Sequence, residues 1–179
     1  MAGRRITSVA LILLAVGMVS ALPAASDSAS ELEPLPLIEF RIKDQFDKLH
    51  TNGSLNNMVV VIISGDRKGH EIMKDWSPVL RDSLAIEIQS YRVRIVDHAH
   101  AKGAPFFVKG MIKKSFTKKN KDYVLLDWKG VFDKAYDLTE DRLTIVIFDT
   151  GGMRRHQVAV EQFDPATLAD LLGIIRGLG

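Results

Sequence analysis

Residues 58–70 read Met-Val-Val-Val-Ile-Ile-Ser-Gly-Asp-Arg-Lys-Gly-His. The first six are apolar and five of them are β-branched, which predicts a strand buried on both faces over 58–63. Glycine and charge follow at Gly65-Asp66-Arg67-Lys68. Over 71–88 the apolar residues then recur at helical spacing, with Ile72, Trp76, Val79, Leu80, Leu84 and Ile88 on one face. A buried strand turning through a glycine-bearing loop into an amphipathic helix is a building unit of layered α/β folds. Pro78 lies inside the helical stretch and is expected to kink it.

Working outward, 91–96 and 143–148 carry further apolar strands, and 123–126 a short one. Residues 105–116 have a helical pattern that sets Phe107, Val108, Met111, Ile112 and Phe116 on one side, and 131–136 gives one or two helical turns. Asp149-Thr150-Gly151-Gly152 is a tight turn whose glycines tolerate positive φ, and 156–160 pairs back across it. Asp164 caps a final helix and Pro165 takes its first turn, where a missing N–H costs nothing. Upstream, 37–42 reads as an edge strand and Thr51-Asn52-Gly53-Ser54 as a turn. This order predicts a three-layer α/β/α sandwich with a mixed central sheet and an N-terminal hairpin.

The N-terminus is set apart from that domain. Arg4 and Arg5 precede an apolar run at 9–19, and small residues Ser20-Ala21 and Ala24-Ala25 follow. Charge, short apolar core and small-residue exit predict a secretory signal peptide over 1–25. The run is too short for a membrane span of about twenty residues, and Pro23 interrupts it. Residues 26–36 are polar, acidic and proline-punctuated and read as a linker, leaving 37–179 as the folded domain. Without Arg4 and Arg5, 22 of the 24 basic residues face 22 acidic ones. Bulk attraction to nucleic acid or to acidic lipid is therefore not expected.

An exported chain is free to use disulfides, yet this sequence contains no cysteine. Thiol redox chemistry, thiolate nucleophiles and cysteine-bound metals are excluded.

The chain resembles the thioredoxin-like superfamily, especially its redoxin-like members, over about 37–177. Phe40-Arg41-Ile42-Lys43-Asp44-Gln45-Phe46 resembles the opening hairpin of that family, and Val59-Val60-Val61-Ile62-Ile63-Ser64 the strand leading to its active site. Leu143-Thr144-Ile145-Val146-Ile147-Phe148-Asp149 with Gly151-Gly152 resembles its late strand and turn. A narrower likeness, to YtfJ-type periplasmic proteins, runs through Phe106-Phe107-Val108-Lys109-Gly110, Leu125-Leu126-Asp127, Gly130 and Tyr136-Asp137-Leu138. The resemblance implies a thioredoxin-like fold and a periplasmic location. It also locates a departure: Arg67-Lys68-Gly69-His70 stand where redox members carry cysteine, and Leu143 stands near the position of their proline. No catalytic residue carries over.

Three candidate sites remain. Asp66, Arg67, Lys68, Gly69 and His70 sit between a buried strand and a helix start, where free N–H groups and the helix dipole favour an anion or an acidic partner. A solvated turn accounts for the same residues, and no Walker or Rossmann spacing is present. His98 and His100 share a face of an extended chain, as two ligands of a metal would, but no third ligand is evident and no metal is expected. Lys109, Lys113 and Lys114, followed by Lys118, Lys119 and Lys121, give an amphipathic basic helix that suits acidic lipid or protein. Packing of its apolar side on its own sheet is the plainer expectation. Serine-histidine-acid chemistry has no motif here, and Asp127 and Asp149 read as turn-capping residues.

The sequence thus supports a redox-inactive binding module for an envelope protein or peptide, with no cofactor. A small-anion sensor or non-thiol enzyme built on Arg67-Lys68-Gly69-His70 is the alternative.

Overall fold

The computed structural model describes residues 33–119 and 122–179. The signal peptide and most of the linker expected from the sequence lie outside these residues. Residues Leu32–Gly179 group as a compact unit.

A short hairpin, β1 (Arg41–Lys43) and β2 (Leu49–Thr51), opens the described chain. The main sheet contains β3 (Val59–Gly65), β4 (Val93–His100), β5 (Val124–Asp127), β6 (Leu143–Phe148) and β7 (Arg154–Val160). Its order is β5-β4-β3-β6-β7. The β4 strand runs parallel to β3 and β5, whereas β6 is antiparallel to β3 and β7. Every residue of β3, β5 and β6 is buried, as their uninterrupted apolar runs require.

Because side chains alternate along a strand, the sheet has two separate cores. On one face, Val59, Val61 and Ile63 pack with Met73, Trp76 and Leu80 of α1 (Arg67–Ser83) and with Leu171 and Ile175 of α5 (Pro165–Leu178). The same face takes Phe116 of α3 (Phe106–Lys119) against Ala99, Val124 and Leu126. On the other face, Val60, Ile62, Val96, Val146 and Phe148 pack with Phe132 and Tyr136 of α4 (Val131–Tyr136) and with Phe40 and Ile42 of the hairpin. The layers are those of the expected sandwich, although hairpin residues share the second outer layer with α4.

Several elements differ from expectation for identifiable reasons. Residues 37–40 are not strand: the Leu37 N–H donates to the Gly152 carbonyl at 2.7 Å, and that of Ile38 to the Tyr136 hydroxyl at 2.8 Å. The helix expected from residue 71 begins at Arg67, because Asp66 supplies a side-chain cap. Pro78 is accommodated within α1, and the helical course breaks instead at Leu84, after which α2 (Ala85–Gln89) runs to the next turn. The β4 strand runs past residue 96, where the apolar pattern ended, to His100, so Asp97, His98 and His100 belong to the sheet. Residues 51–55 form a 3-10 turn over Asn52–Leu55. Asp164 caps α5 as expected, accepting from Thr167 N–H at 2.8 Å.

Helix α3 departs most. Ile112 and Phe116 turn inward, but Phe107 and Met111, expected beside them, are exposed together with Phe106. The helix is apolar on two sides, and the sheet has room for one.

Candidate functional site

The loop after β3 forms through two close backbone approaches. A Cβ on Gly65 would lie 2.8 Å from Gly69 Cα, and one on Gly69 would collide with the Arg142 carbonyl. The two glycines therefore seat the first turn of α1 against the end of β3 and the start of β6. Their role is packing; φ is positive at neither residue.

Asp66 organises the loop. Its Oδ1 accepts from the Lys68 and Gly69 amides, each at 2.9 Å, and its Oδ2 from the Asp141 amide at 2.9 Å. Burial acts to raise this carboxyl, but the Gly69, Asp141 and Lys68 amides and the nearby His100 outweigh it and hold it below the usual range. The helix N-terminus thus already carries a negative charge from its own chain. Lys68 pairs with Asp141 at 2.9 Å, both being largely exposed, so the pair contributes little to stability. Arg67 is exposed, and His70 is partly buried with its ring 4.5 Å from that of Phe116. The five residues marked in the sequence occupy one helix start, with Gly69 buried beneath it.

Two polar clusters cross the sheet below this loop. On the α4 face, Ser64 and His98 are register partners in adjacent parallel strands. Ser64 Oγ lies 2.7 Å from His98 Nδ1, and His98 Nε2 lies 3.4 Å from Asp127 Oδ2. Burial lowers the His98 pKa despite Asp127, which keeps the ring neutral. A neutral ring that accepts from Ser64 at Nδ1 carries its proton on Nε2, facing Asp127. Burial acts to raise Asp127, yet His98 and the amides of Phe132 and Lys129 outweigh it and hold the carboxyl low. Asp127 also accepts from the Gly130 amide at 2.9 Å, so it caps the turn into α4, as expected, while facing the histidine.

The residue types are those of a serine hydrolase, and the sequence showed no motif for them. The geometry nevertheless opposes that chemistry. Ser64 and Asp127 are 2% exposed and His98 is fully enclosed, so no substrate carbonyl reaches the hydroxyl. The cluster joins three strands through side chains. The clue in the sequence was a serine closing one apolar run and a histidine two residues past the end of the next.

The second cluster lies on the α1 face. Ser77 donates to Asp97 at 2.9 Å, and Arg81 pairs with Asp97 at 3.1 Å and with Asp122 at 3.5 Å. Burial raises Asp97 above the usual range against the pull of Arg81 and Ser77.

His98 and His100 share a face, as expected of alternate strand residues, but each meets its own carboxylate. His100 Nε2 lies 3.8 Å from Asp133, which also pairs with Lys102. No group of three metal-ligating side chains converges among the described residues.

The basic residues of α3 are separated by their contacts. Lys109 stands 5.3 Å from the Trp128 ring centroid, Lys113 pairs with Asp47, and Lys114 is exposed. Between the hairpin, Lys113 and the segment Leu126–Val131 lies a cleft of about 1100 Å³, with Asp127 on its wall.

A central strand leading into a capped helix, a mixed five-stranded sheet, and a closing hairpin and helix define the thioredoxin-like fold. Solved structures share it. A putative thiol:disulfide interchange protein DsbE from Chlorobium tepidum is 18% identical, with a TM-score of 0.63 over 82% of this chain and 97% of its own. The exposed lipoprotein thioredoxin of Streptococcus pneumoniae is 12% identical, with a TM-score of 0.60 over 76% and 99%. A SCO1/SenC family lipoprotein from Bacillus anthracis is 15% identical, with a TM-score of 0.59 over 82% and 98%. At these identities the likeness is one of fold. No protein-family model and no curated protein matches the sequence.

Proposed function

We propose that this chain is an exported, redox-inactive thioredoxin-like domain that holds a protein or peptide partner in the cell envelope. The observation that carries the reading is a substitution within an intact fold. The helix start after the central strand is built and capped, but it presents Arg67, Lys68 and His70 in a chain without cysteine. A scaffold kept without its sulfur chemistry retains surfaces for recognition, since fold alone does not specify activity. The structural neighbours, a putative thiol:disulfide interchange protein and two lipoproteins, fit an envelope setting. The signal-like N-terminus and the narrower likeness to YtfJ-type periplasmic proteins point the same way.

A cross-linked pull-down from envelope extract tests the reading. The native chain is compared with the Arg67→Ala/Lys68→Ala/His70→Ala variant. Retention of one specific protein by the native form and its loss by the variant supports partner capture at the helix start. Equal retention by both forms removes that face from consideration.

The small-anion reading rests on Arg67 and Lys68 flanking the same helix start. It is the weaker reading, because an incoming anion must displace Asp66 from the amides of Lys68 and Gly69. Calorimetry with inorganic phosphate decides it: heat of binding that disappears in Arg67→Ala/Lys68→Ala would reverse the preference.

A further inference from the structure

The two-sided character of α3 has no explanation inside the fold. Ile112 and Phe116 serve the core. Phe106, Phe107 and Met111 are 89%, 78% and 70% exposed. Large apolar side chains clustered on one surface mark an interaction site more often than chance exposure. Gly110 stands beside them with open space where a Cβ would be, so the face is unobstructed. Thr117 Oγ1 bonds the Gln45 carbonyl at 3.2 Å, and Lys113 pairs with Asp47. These contacts tie α3 to the hairpin, where Phe46 is also half exposed.

Charge identifies the occupant. Residues 101–121 contain seven lysines, no arginine and no acidic residue. The remaining residues hold 17 of the 24 basic side chains and all 22 acidic ones. A strongly basic segment is thus set in an otherwise acidic molecule. Arginine, with its planar fork, is the residue suited to paired contacts with particular carboxylates. Lysine is a compact, strongly hydrated charge on a flexible stem, and it suits a diffuse negative surface whose charges move. Aromatic and aliphatic side chains inserting among headgroups, flanked by lysines, are the pattern of interfacial helices. No helix among the described residues is long and apolar enough to cross a membrane; the face is suited to lying on one.

We infer that the outward face of α3, formed by Phe106, Phe107 and Met111 and bordered by Lys114, docks onto an anionic phospholipid surface. The lysines draw the helix to the surface and the apolar side chains hold it there. Both terms are required, because three apolar residues bind neutral lipid weakly and surface lysines alone are screened by salt.

The test is flotation with vesicles of phosphatidylcholine, with and without phosphatidylglycerol. It uses the full chain and residues 32–179 in parallel, because the apolar run at 9–19 would partition into lipid by itself. The native protein is expected to float with the anionic vesicles at low salt and to remain below the neutral ones. The Phe106→Ser/Phe107→Ser/Met111→Ser variant is expected to bind at least about tenfold more weakly. A thermal melt confirms that it is folded, which the exposure of all three positions favours. Lys114→Glu provides a second, single-site variant and is expected to reduce binding measurably. Equal flotation of native and variant forms, failure of the native 32–179 chain to float, or equal binding to neutral vesicles would each overturn the inference. So would sedimentation showing a dimer of 32–179 that the triple variant abolishes, since the face would then be covered by a second copy.

Discussion

Ser64 Oγ lies 2.7 Å from His98 Nδ1, across a parallel strand pair in which the two residues are direct register partners. Both are buried. Removing the hydroxyl leaves a buried ring nitrogen without its donor, which costs about 1–3 kcal/mol. Ser64→Ala is therefore expected to lower the unfolding free energy by that amount, seen as a lower denaturant midpoint with an unchanged slope. A change below about 0.5 kcal/mol would mean that water replaces the bond.

The same ring sets a pH dependence. Burial holds the His98 pKa below its ordinary value of 6.5. The unfolded chain takes up a proton below pH 6.5 while the folded chain resists it, so the unfolded state binds more protons there. Stability is full above 6.5 and declines as pH falls below it. His156, also lowered by burial, adds to the decline. Asp97, raised by burial, works against it at lower pH, because its folded form takes up a proton more readily. The stability difference between native protein and His98→Asn isolates the ring. That difference is expected to shrink as pH is lowered below 6.5, measured by thermal melts across the range. A constant difference would show that His98 protonates equally in both states.

Why the sheet was legible and this cluster was not follows from range. Val59 to Ile63 and Leu143 to Phe148 announce buried strands by composition alone. Ser64 and His98 are 34 positions apart, and their meeting depends on the β3–β4 register, which no local pattern reports. Asp66 was legible as part of a helix start, because its own amide partners lie two and three residues on. Its third bond, from Asp141, spans 75 positions and was not. In α3 the periodicity correctly indicated a helix. Which apolar residues turned inward was decided by the place of Phe116 against Ala99 and Val124, a tertiary fact.

Asp66→Ala removes the bonds to Lys68, Gly69 and Asp141 together. Loss of an N-cap typically costs about 1–2 kcal/mol, and the tie between α1 and the chain entering β6 is lost with it. A drop toward the upper end of that range is expected in chemical denaturation. Asp66→Asn, which keeps an acceptor oxygen, is expected to recover at least half. If Ala and Asn destabilise equally, the carboxylate charge, and not its geometry as an acceptor, supports the loop.

Two helical glycines offer opposite signs from the same substitution. At Gly69 a methyl group would collide with the Arg142 carbonyl, which is backbone and cannot swing aside. Gly69→Ala must therefore separate α1 from the start of β6, and overpacking of this kind costs about 1–3 kcal/mol. At Gly110, inside α3, nothing lies within 4 Å of the added Cβ. There the change only removes the backbone freedom of the unfolded chain, and Gly110→Ala is expected to stabilise by about 0.5–1 kcal/mol. Because α3 also makes few core contacts, the gain should appear chiefly as slower hydrogen exchange in 106–117, with a smaller change in global melting. Destabilisation by Gly110→Ala would mean that the exposed side of α3 is already covered by another surface in solution.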